Sequence, residues 1–261
     1  MRAGDPVLVF DLDGTVLRVN SFPVWVMLLA CGGPRHLTLA RRAAMSLRVQ
    51  RLVLTRKLGG VPHGAFMHAM QALWREAAAG DGGTMTARLH ALLLQKLRPN
   101  LAPVLKLVAE DGADGLLATA AAGDYAESLG PLLGLQHVIA TPFDRRPDEP
   151  INNGARKRDR VLAFLDERGW AERPIVFFND HLADLPLMLE SRVVCWFGGR
   201  RALGRARETA QGVRFIDCRR FTPGEMIATL AHLRQSVAIE GMEPPAGYAG
   251  YADTPRASTA S

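Results

Sequence analysis

Asp11 and Asp13 are the first residues in this sequence whose types and spacing could do chemistry together. They follow the apolar run Val7-Leu8-Val9-Phe10 directly and stand two apart, so on an extended backbone their carboxylates point the same way. Two carboxylates side by side repel unless a cation or a proton lies between them. A hard divalent metal with oxygen ligands is the natural partner, and magnesium (Mg2+) is the one expected. Asp180 and Asp184 arrive after another apolar run, Pro174 to Phe178, with the spacing of a turn that enters a helix. They would complete an acidic cluster with room for a metal and an anionic substrate.

A phosphate held by such a metal needs further neutralisation. Thr119 ends the apolar run Gly115 to Thr119 and offers a hydroxyl near the N–H groups of a helix start; Lys157 offers a point charge. With a phosphate there, Asp11 could attack phosphorus in line and form an aspartyl-phosphate. Asp13 could protonate the leaving oxygen and then activate water. Positioning and charge neutralisation would supply most of the rate. Plainer readings stand beside these. Asp11 and Asp13 can be a helix cap and turn, and Thr119 a helix cap. Lys157 can be a surface ion pair, with Arg156 and Arg158 as rivals. Asp184 either binds metal or holds Lys157. His181 is expected to orient a neighbour by hydrogen bond.

The elements that must position these residues alternate between strand and helix. Apolar runs at 7–10, 115–119, 137–140, 174–178, 193–197 and 213–216 read as buried strands, and 101–110, 124–133 and 158–168 as helices. That order predicts an α/β fold with a Rossmann-like parallel sheet, whose ligands sit at the carboxyl ends of the strands. Residues 20 to 97 read as mostly helical, with breaks at 32–34, 59–64 and 80–83. The 261 residues are 48% hydrophobic and 22% charged, which excludes a disordered chain. Three scattered cysteines, Cys31, Cys195 and Cys218, exclude a disulfide scaffold and a thiolate zinc site. They point to a reducing, cytoplasmic setting.

At these residues the sequence resembles the haloacid dehalogenase superfamily, in its phosphatase branch. Asp11, Asp13, Gly14 and Thr15 match the family's DxDGT motif, Thr119 its second motif and Lys157 its third. FNDHLADLP matches the fourth through Asp180, Asp184, Leu185 and Pro186, with Asn179 for the usual Gly and His181 for the usual Ser. HVIATPFD is similar to members akin to phosphoserine phosphatase and phosphatidylglycerophosphatase C. The resemblance implies catalysis by Asp11, Asp13, Thr119 and Lys157. It implies phosphate contacts from Gly14, Thr15, Thr119, Ala120 and Lys157, metal ligation by Asp11, Asp13 and Asp180, and a supporting role for Asp184. The stretch from Asp13 to Thr119 is far longer than that from Thr119 to Lys157, so the inserted helical cap must lie between the first two motifs. The expected division is a core of 1–20 and 97–240, a helical cap of 21–96, and a disordered tail of 241–261.

Charge adds a second inference. From Gly14 to Arg75 there is no Asp or Glu, only Arg18, Arg35, Arg41, Arg42, Arg48, Arg51, Arg56, Lys57 and Arg75. The whole chain is +6, so the remainder is net acidic. In phosphoserine phosphatases a carboxylate early in the cap binds the substrate ammonium. None exists here, which disfavours a zwitterionic amino-acid phosphate. An anionic or lipid-like phosphomonoester is expected, with Trp25, Met27 and Leu28 lining an apolar entrance and the basic cap touching an anionic membrane surface. The arginines can equally be a solvated face, and the segment is not cleanly amphipathic. The alternatives are a soluble small-metabolite phosphatase and a non-catalytic binding or regulatory protein. No aromatic residue lies between Val26 and Ala65, so nucleic acid is not expected. The longest apolar run, Phe22 to Cys31, is too short to span a bilayer and reads as a buried cap helix.

Overall fold

The computed structural model describes residues 5–32 and 36–236. Strand β1 (Val7–Phe10) has no exposed surface. It lies between β2 (Gly115–Ala122) and β4 (Ile175–Asn179). With β3 (His137–Thr141), β5 (Val193–Trp196) and β6 (Arg214–Asp217) they form one sheet of order β3-β2-β1-β4-β5-β6, paired in parallel throughout. A parallel sheet of this kind needs cover on both faces, which is why its strands read as continuous apolar runs.

Strand periodicity divides those runs between two cores. Leu8 and Phe10 join Leu117, Val176, Phe178 and Cys195 on one face. There they meet α5 (Ala102–Asp111), α6 (Gly123–Leu132) and α10 (Pro223–Ser236) through Leu105, Leu129 and Leu230. Val7 and Val9 join Leu116, Ala118, Phe177 and Val194 on the other face. Their cover is α7 (Ala155–Glu167), α8 (Leu185–Leu189) and α9 (Arg200–Thr209), through Val161, Leu187 and Leu203. Phe10 and Phe178 stack with ring centres 4.3 Å apart, which fixes β1 against β4 on the first face.

Between β1 and β2 the chain leaves the sheet for a helical cap. It comprises α1 (Ser21–Met27), a π-helical turn at Leu28–Gly32, α2 (Leu39–Lys57), α3 (His63–Ala78) and α4 (Thr84–Leu94). Asn20 opens α1 by accepting the Phe22 N–H at 2.9 Å. The core of these helices is continuous with the first face of the sheet. Trp25 packs with ring centres 5.8 Å from Trp74 and 5.5 Å from Tyr125 of α6.

Three expectations need correction. β2 does not end at Thr119 but runs to Ala122, with its register against β3 shifting between Ala118 and Ala122. The small residues Ala120 to Ala122 carry no turn signal, so the strand continues through an irregularity and Thr119 sits there. α7 begins at Ala155 rather than Arg158, because Gly154 at φ 57° ends the preceding loop; Lys157 therefore lies within the first helical turn. Trp25 and Leu28 are buried in the core, so they form no apolar entrance, and only Met27 of that trio is exposed. Residues 241–261, expected as a disordered tail, lie outside the described residues, as do 237–240. No described helix is long and apolar enough to cross a membrane.

The packing predicts a contrast within one helix. Trp25→Ala should lower unfolding stability by about 3–5 kcal/mol in a urea melt, while Met27→Ala should change it by no more than about 0.5 kcal/mol. Equal effects would mean that the aromatic joint between the helices and the sheet is not formed.

Candidate active site

The strand order sends the chain from β1 outward through β2 and β3 on one side and through β4, β5 and β6 on the other. A crevice opens at the carboxyl ends where the order reverses. Asp11 leaves β1 with its N–H on the Phe178 carbonyl at 2.9 Å, and Asp180 leaves β4 beside it. Gly14 has φ 76°, and a Cβ there would overlap the Asp180 carboxylate. Glycine thus allows both the turn and the close approach of the two loops. Arg98 donates to the Gly14 carbonyl and, at 2.8 Å, to that of Thr15; Thr15 Oγ1 reaches Asp180 Oδ1 at 3.5 Å. Asp13 Oδ1 accepts the Ser21 N–H at 2.7 Å.

Lys157 joins these loops to α7. Its Nζ donates to Asp11 Oδ1 at 2.8 Å and to Asp184 Oδ2 at 2.6 Å, and all three side chains are buried. Asp184 Oδ1 also accepts the Gly154 N–H at 3.4 Å. Of the two readings open for Asp184, its contacts are those of a residue that holds Lys157. The rivals of Lys157 point elsewhere: Arg156 pairs with Glu149 and Arg158 with Asp159.

Thr119 Oγ1 accepts the Ala121 N–H at 3.1 Å, leaving the hydroxyl hydrogen for another acceptor. His181 Nδ1 accepts the Ala183 N–H at 3.1 Å and so caps the short turn Leu182–Asp184 that carries Asp184. Asn179, in the place of the usual glycine, is buried and donates to the His181 carbonyl at 2.8 Å. Two groups were missed by the sequence reading. Asn152, fully buried, donates to the Thr119 and Ile139 carbonyls at 2.9 and 3.0 Å and so braces the Thr119 irregularity. The turn-forming Asn152-Asn153-Gly154 just before Lys157 was its only signal. Arg18 was read only as one of the basic residues, yet it lines the pocket.

The cavity measures about 410 Å³ and is lined by Asp11, Asp13, Asp180, Thr119, Lys157 and Arg18 with a few neighbours. Only Val19, Ala120 and Ala183 among its lining residues are apolar. Burial raises the Asp11 carboxyl to about 7, although the Lys157 ammonium pulls it down. Burial raises Asp13 to about 6 against the Ser21 hydrogen bond, and it raises Asp180 too. For Lys157 burial opposes the charge, but the Asp11 and Asp184 carboxylates outweigh it and hold the ammonium above its ordinary range. The pocket is therefore short of positive charge.

The sequence matches the haloacid dehalogenase-like hydrolase family over residues 8–189, a span that holds all of these residues. The chain belongs to that family. Solved structures share the fold of this haloacid dehalogenase-like hydrolase. A protein of unknown function from Bordetella pertussis Tohama I is 21% identical, with a TM-score of 0.65 over 82% of this chain and 99% of its own. A probable phosphoserine phosphatase from Vibrio cholerae is 13% identical, with a TM-score of 0.58 over 89% of this chain and 67% of its own. Cytosolic 5'-nucleotidase IIIB bound to cytidine is 12% identical, with a TM-score of 0.54 over 89% of this chain and 87% of its own. No curated protein matches the sequence.

Whether this hydrolase suits a metal is a question of its donor set. Among the described residues no three His, Cys, Asp or Glu side chains converge as a ready-made cage. Magnesium does not need one, because it keeps several waters and takes one or two carboxylates plus substrate phosphate. Asp11, Asp13 and Asp180 offer hard oxygens, and burial without sufficient cationic partners has raised all three pKa values. A small dication fits that set.

The Lys157 contacts predict a pH-dependent cost. Lys157→Met should lose about 3–5 kcal/mol of stability near neutral pH, because it leaves buried carboxylates unpaired. The loss should shrink at about pH 5, below the value of about 7 for Asp11, where that carboxyl is already neutral. Chemical melts at both pH values check this; a loss that grows on acidification contradicts it.

Proposed function

We propose that this chain is a magnesium-dependent phosphomonoester hydrolase with Asp11 as nucleophile. The observation that carries the reading is the Lys157 ammonium, which fixes Asp11 through Oδ1 alone, while Oδ2 accepts no hydrogen bond from a described residue. A carboxylate oriented in this way, on the wall of a polar pocket, is arranged to attack. Asp11, Asp13 and Asp180 would hold Mg2+, which when bound screens the phosphate's negative charge.

The chain's own residues do the rest. An Asp11 oxygen forms a bond to phosphorus as the bond from phosphorus to the leaving oxygen breaks. Asp13, in its protonated form, gives its proton to that oxygen. Asp13, now a carboxylate, takes a proton from water as the water oxygen attacks the phosphorus of the Asp11 acyl phosphate. Phosphate leaves and Asp11 is restored. Lys157 has a third N–H for a phosphate oxygen, and the Thr119 hydroxyl, the Ala120 backbone and the Gly14–Thr15 turn supply further contacts.

The substrate reading is an anionic phosphomonoester whose phosphate end enters the pocket. Asp11, Asp13, Asp180, Asp184, Lys157 and Arg18 line the pocket, and exposed Arg18 forms no ion pair with a described residue. The absence of any carboxylate from Gly14 to Arg75 leaves a substrate ammonium without a carboxylate partner early in the cap. A lipid-derived headgroup phosphate meets these conditions. A soluble metabolite phosphate meets them too, and burial of Trp25 and Leu28 favours that second reading.

Phosphate release from a generic aryl phosphate with Mg2+ tests the chemistry. Asp11→Asn should abolish turnover and Asp13→Asn should reduce it by about 10²–10⁴-fold. Turnover that survives Asp11→Asn would exclude the proposed nucleophile. Arg18→Gln should raise KM for substrates with a second anionic group and leave the aryl phosphate unaffected; a uniform change would refute its assigned role.

Metal and pH are linked with a definite sign. Asp11 and Asp13 have raised carboxyl pKa values in the fold, so metal-free stability is greatest below about pH 4 on their account and falls as pH rises through about 6 to 7. Added Mg2+ should therefore raise Tm more at about pH 8 than at about pH 5, because it binds ionised carboxylates. A larger rise on the acid side would count against metal at this site.

A further inference from the structure

The helix α2 has two apolar faces, and among the described residues only one of them has a partner. Met45 and Val49 are buried in the core, with Leu52 and Val53 packed beside them. On the opposite side Leu39, Leu47 and Leu54, and Leu58 just past the helix end, stand 80%, 67%, 58% and 78% exposed. At about 100° per residue these four fall within about 100° of arc, a leucine stripe that also carries exposed Gln50. Exposed Lys57 and Arg51 border the stripe on its two sides. Neither forms an ion pair with a described residue, and α2 carries no acidic residue at all.

We propose that this face of α2 docks on an anionic phospholipid surface. Leucines at the centre with cations at the rim are the pattern that lies in a membrane interface, apolar side toward the acyl chains and basic side among the headgroups. A second copy of this chain is the other candidate for an apolar stripe. An antiparallel two-fold contact centred on the stripe would bring Arg51 of one copy near Arg51 of the other, with no acid on the helix to compensate. An anionic surface supplies the missing charge. The docking face is thus α2 and not the apolar run Phe22 to Cys31, whose Trp25, Leu28 and Leu29 are buried. The inference goes beyond the proposed chemistry and does not depend on it.

Co-sedimentation of the full chain with vesicles tests it. One set contains phosphatidylglycerol in phosphatidylcholine, the other phosphatidylcholine alone. The full chain should pellet with the anionic set and lose binding as salt rises. Leu47→Ser with Leu54→Ser should weaken binding by about tenfold or more, and Arg51→Gln with Lys57→Gln by about fivefold per charge. These positions are exposed, so circular dichroism and the thermal melt should match wild type, which separates lost docking from lost fold. Binding that is absent, equal on neutral vesicles, or unchanged in the leucine variant overturns the proposal. So does light scattering that shows a dimer dispersed by the leucine substitutions, since the stripe would then be a contact between copies. An inactive protein that still binds as expected would sink the phosphatase reading and leave the docking face standing.

Discussion

The buried ammonium of Lys157 is the constraint on which the candidate active site depends. It reaches Asp11 at 2.8 Å and Asp184 at 2.6 Å. Asp11 follows β1, Asp184 lies beyond β4, and Lys157 belongs to α7. One cation therefore ties together the chain segments that follow three separate strands of the sheet. Taking such charges out of water costs several kcal/mol per ion, and only short, well-aligned contacts offset it. The first turn of a helix is also the wrong end for a cation. Lys157 is held there by the carboxylates, and the backbone around all three must hold its course to keep them in reach. The Gly14 turn against Asp180, the Asn152 brace under Thr119 and the His181 cap on the Asp184 turn all serve that requirement.

The same logic extends into the helical cap. Asp13 accepts the N–H of Ser21, the first residue of α1, so the start of the cap is bonded to a candidate catalytic carboxylate. Ser21 Oγ meets the Tyr125 hydroxyl at 2.7 Å, and His90 Nε2 of α4 meets the Tyr125 carbonyl at 3.0 Å. Gln71 and Arg75 of α3 reach Asp124 at 2.7 and 2.5 Å. The two passages between sheet and cap run side by side: the Arg18 N–H bonds the Lys96 carbonyl and the Arg98 N–H bonds the Val16 carbonyl. Arg98 then turns its guanidinium onto Gly14 and Thr15. The fixed connection between cap and sheet is thus also a support of the active-site turn.

What was legible in the sequence was whatever depends on short-range pattern. Continuous apolar runs gave away the strands because both faces of a parallel sheet are buried. Carboxylates directly after two of those runs gave away the crevice, because a strand end is also where the sheet opens to ligand. Asn152 was not legible, because its work is done by donating to carbonyls of β2 and β3 that only the fold brings near. The extension of β2 past Thr119 was missed for a related reason: alanines signal neither strand nor turn, and pairing of Ala122 with Thr141 decides the matter. Trp25 misled because an aromatic in an apolar run reads alike at a surface and in a core. Its neighbours Trp74 and Tyr125 lie far along the chain.

Helix α2 shows the limit of pattern most clearly. A helix with one apolar face announces itself through its period, but a helix with two opposed apolar faces partly cancels that signal. Read as sequence, its leucines and arginines look mixed. Once Met45 and Val49 are seen in the core, Leu47 and Leu54 must be on the other side, since the helical repeat leaves them nowhere else. Their exposure then stands in contrast to the pocket, where four carboxylates, Lys157 and Arg18 gather. A chain that gathers its charged groups at an interior site, and carries exposed leucines on an outer helix rimmed by cations, separates two tasks. On the proposed readings, recognition of phosphate belongs to the loops of the sheet, and docking on an anionic surface belongs to the outer face of the cap.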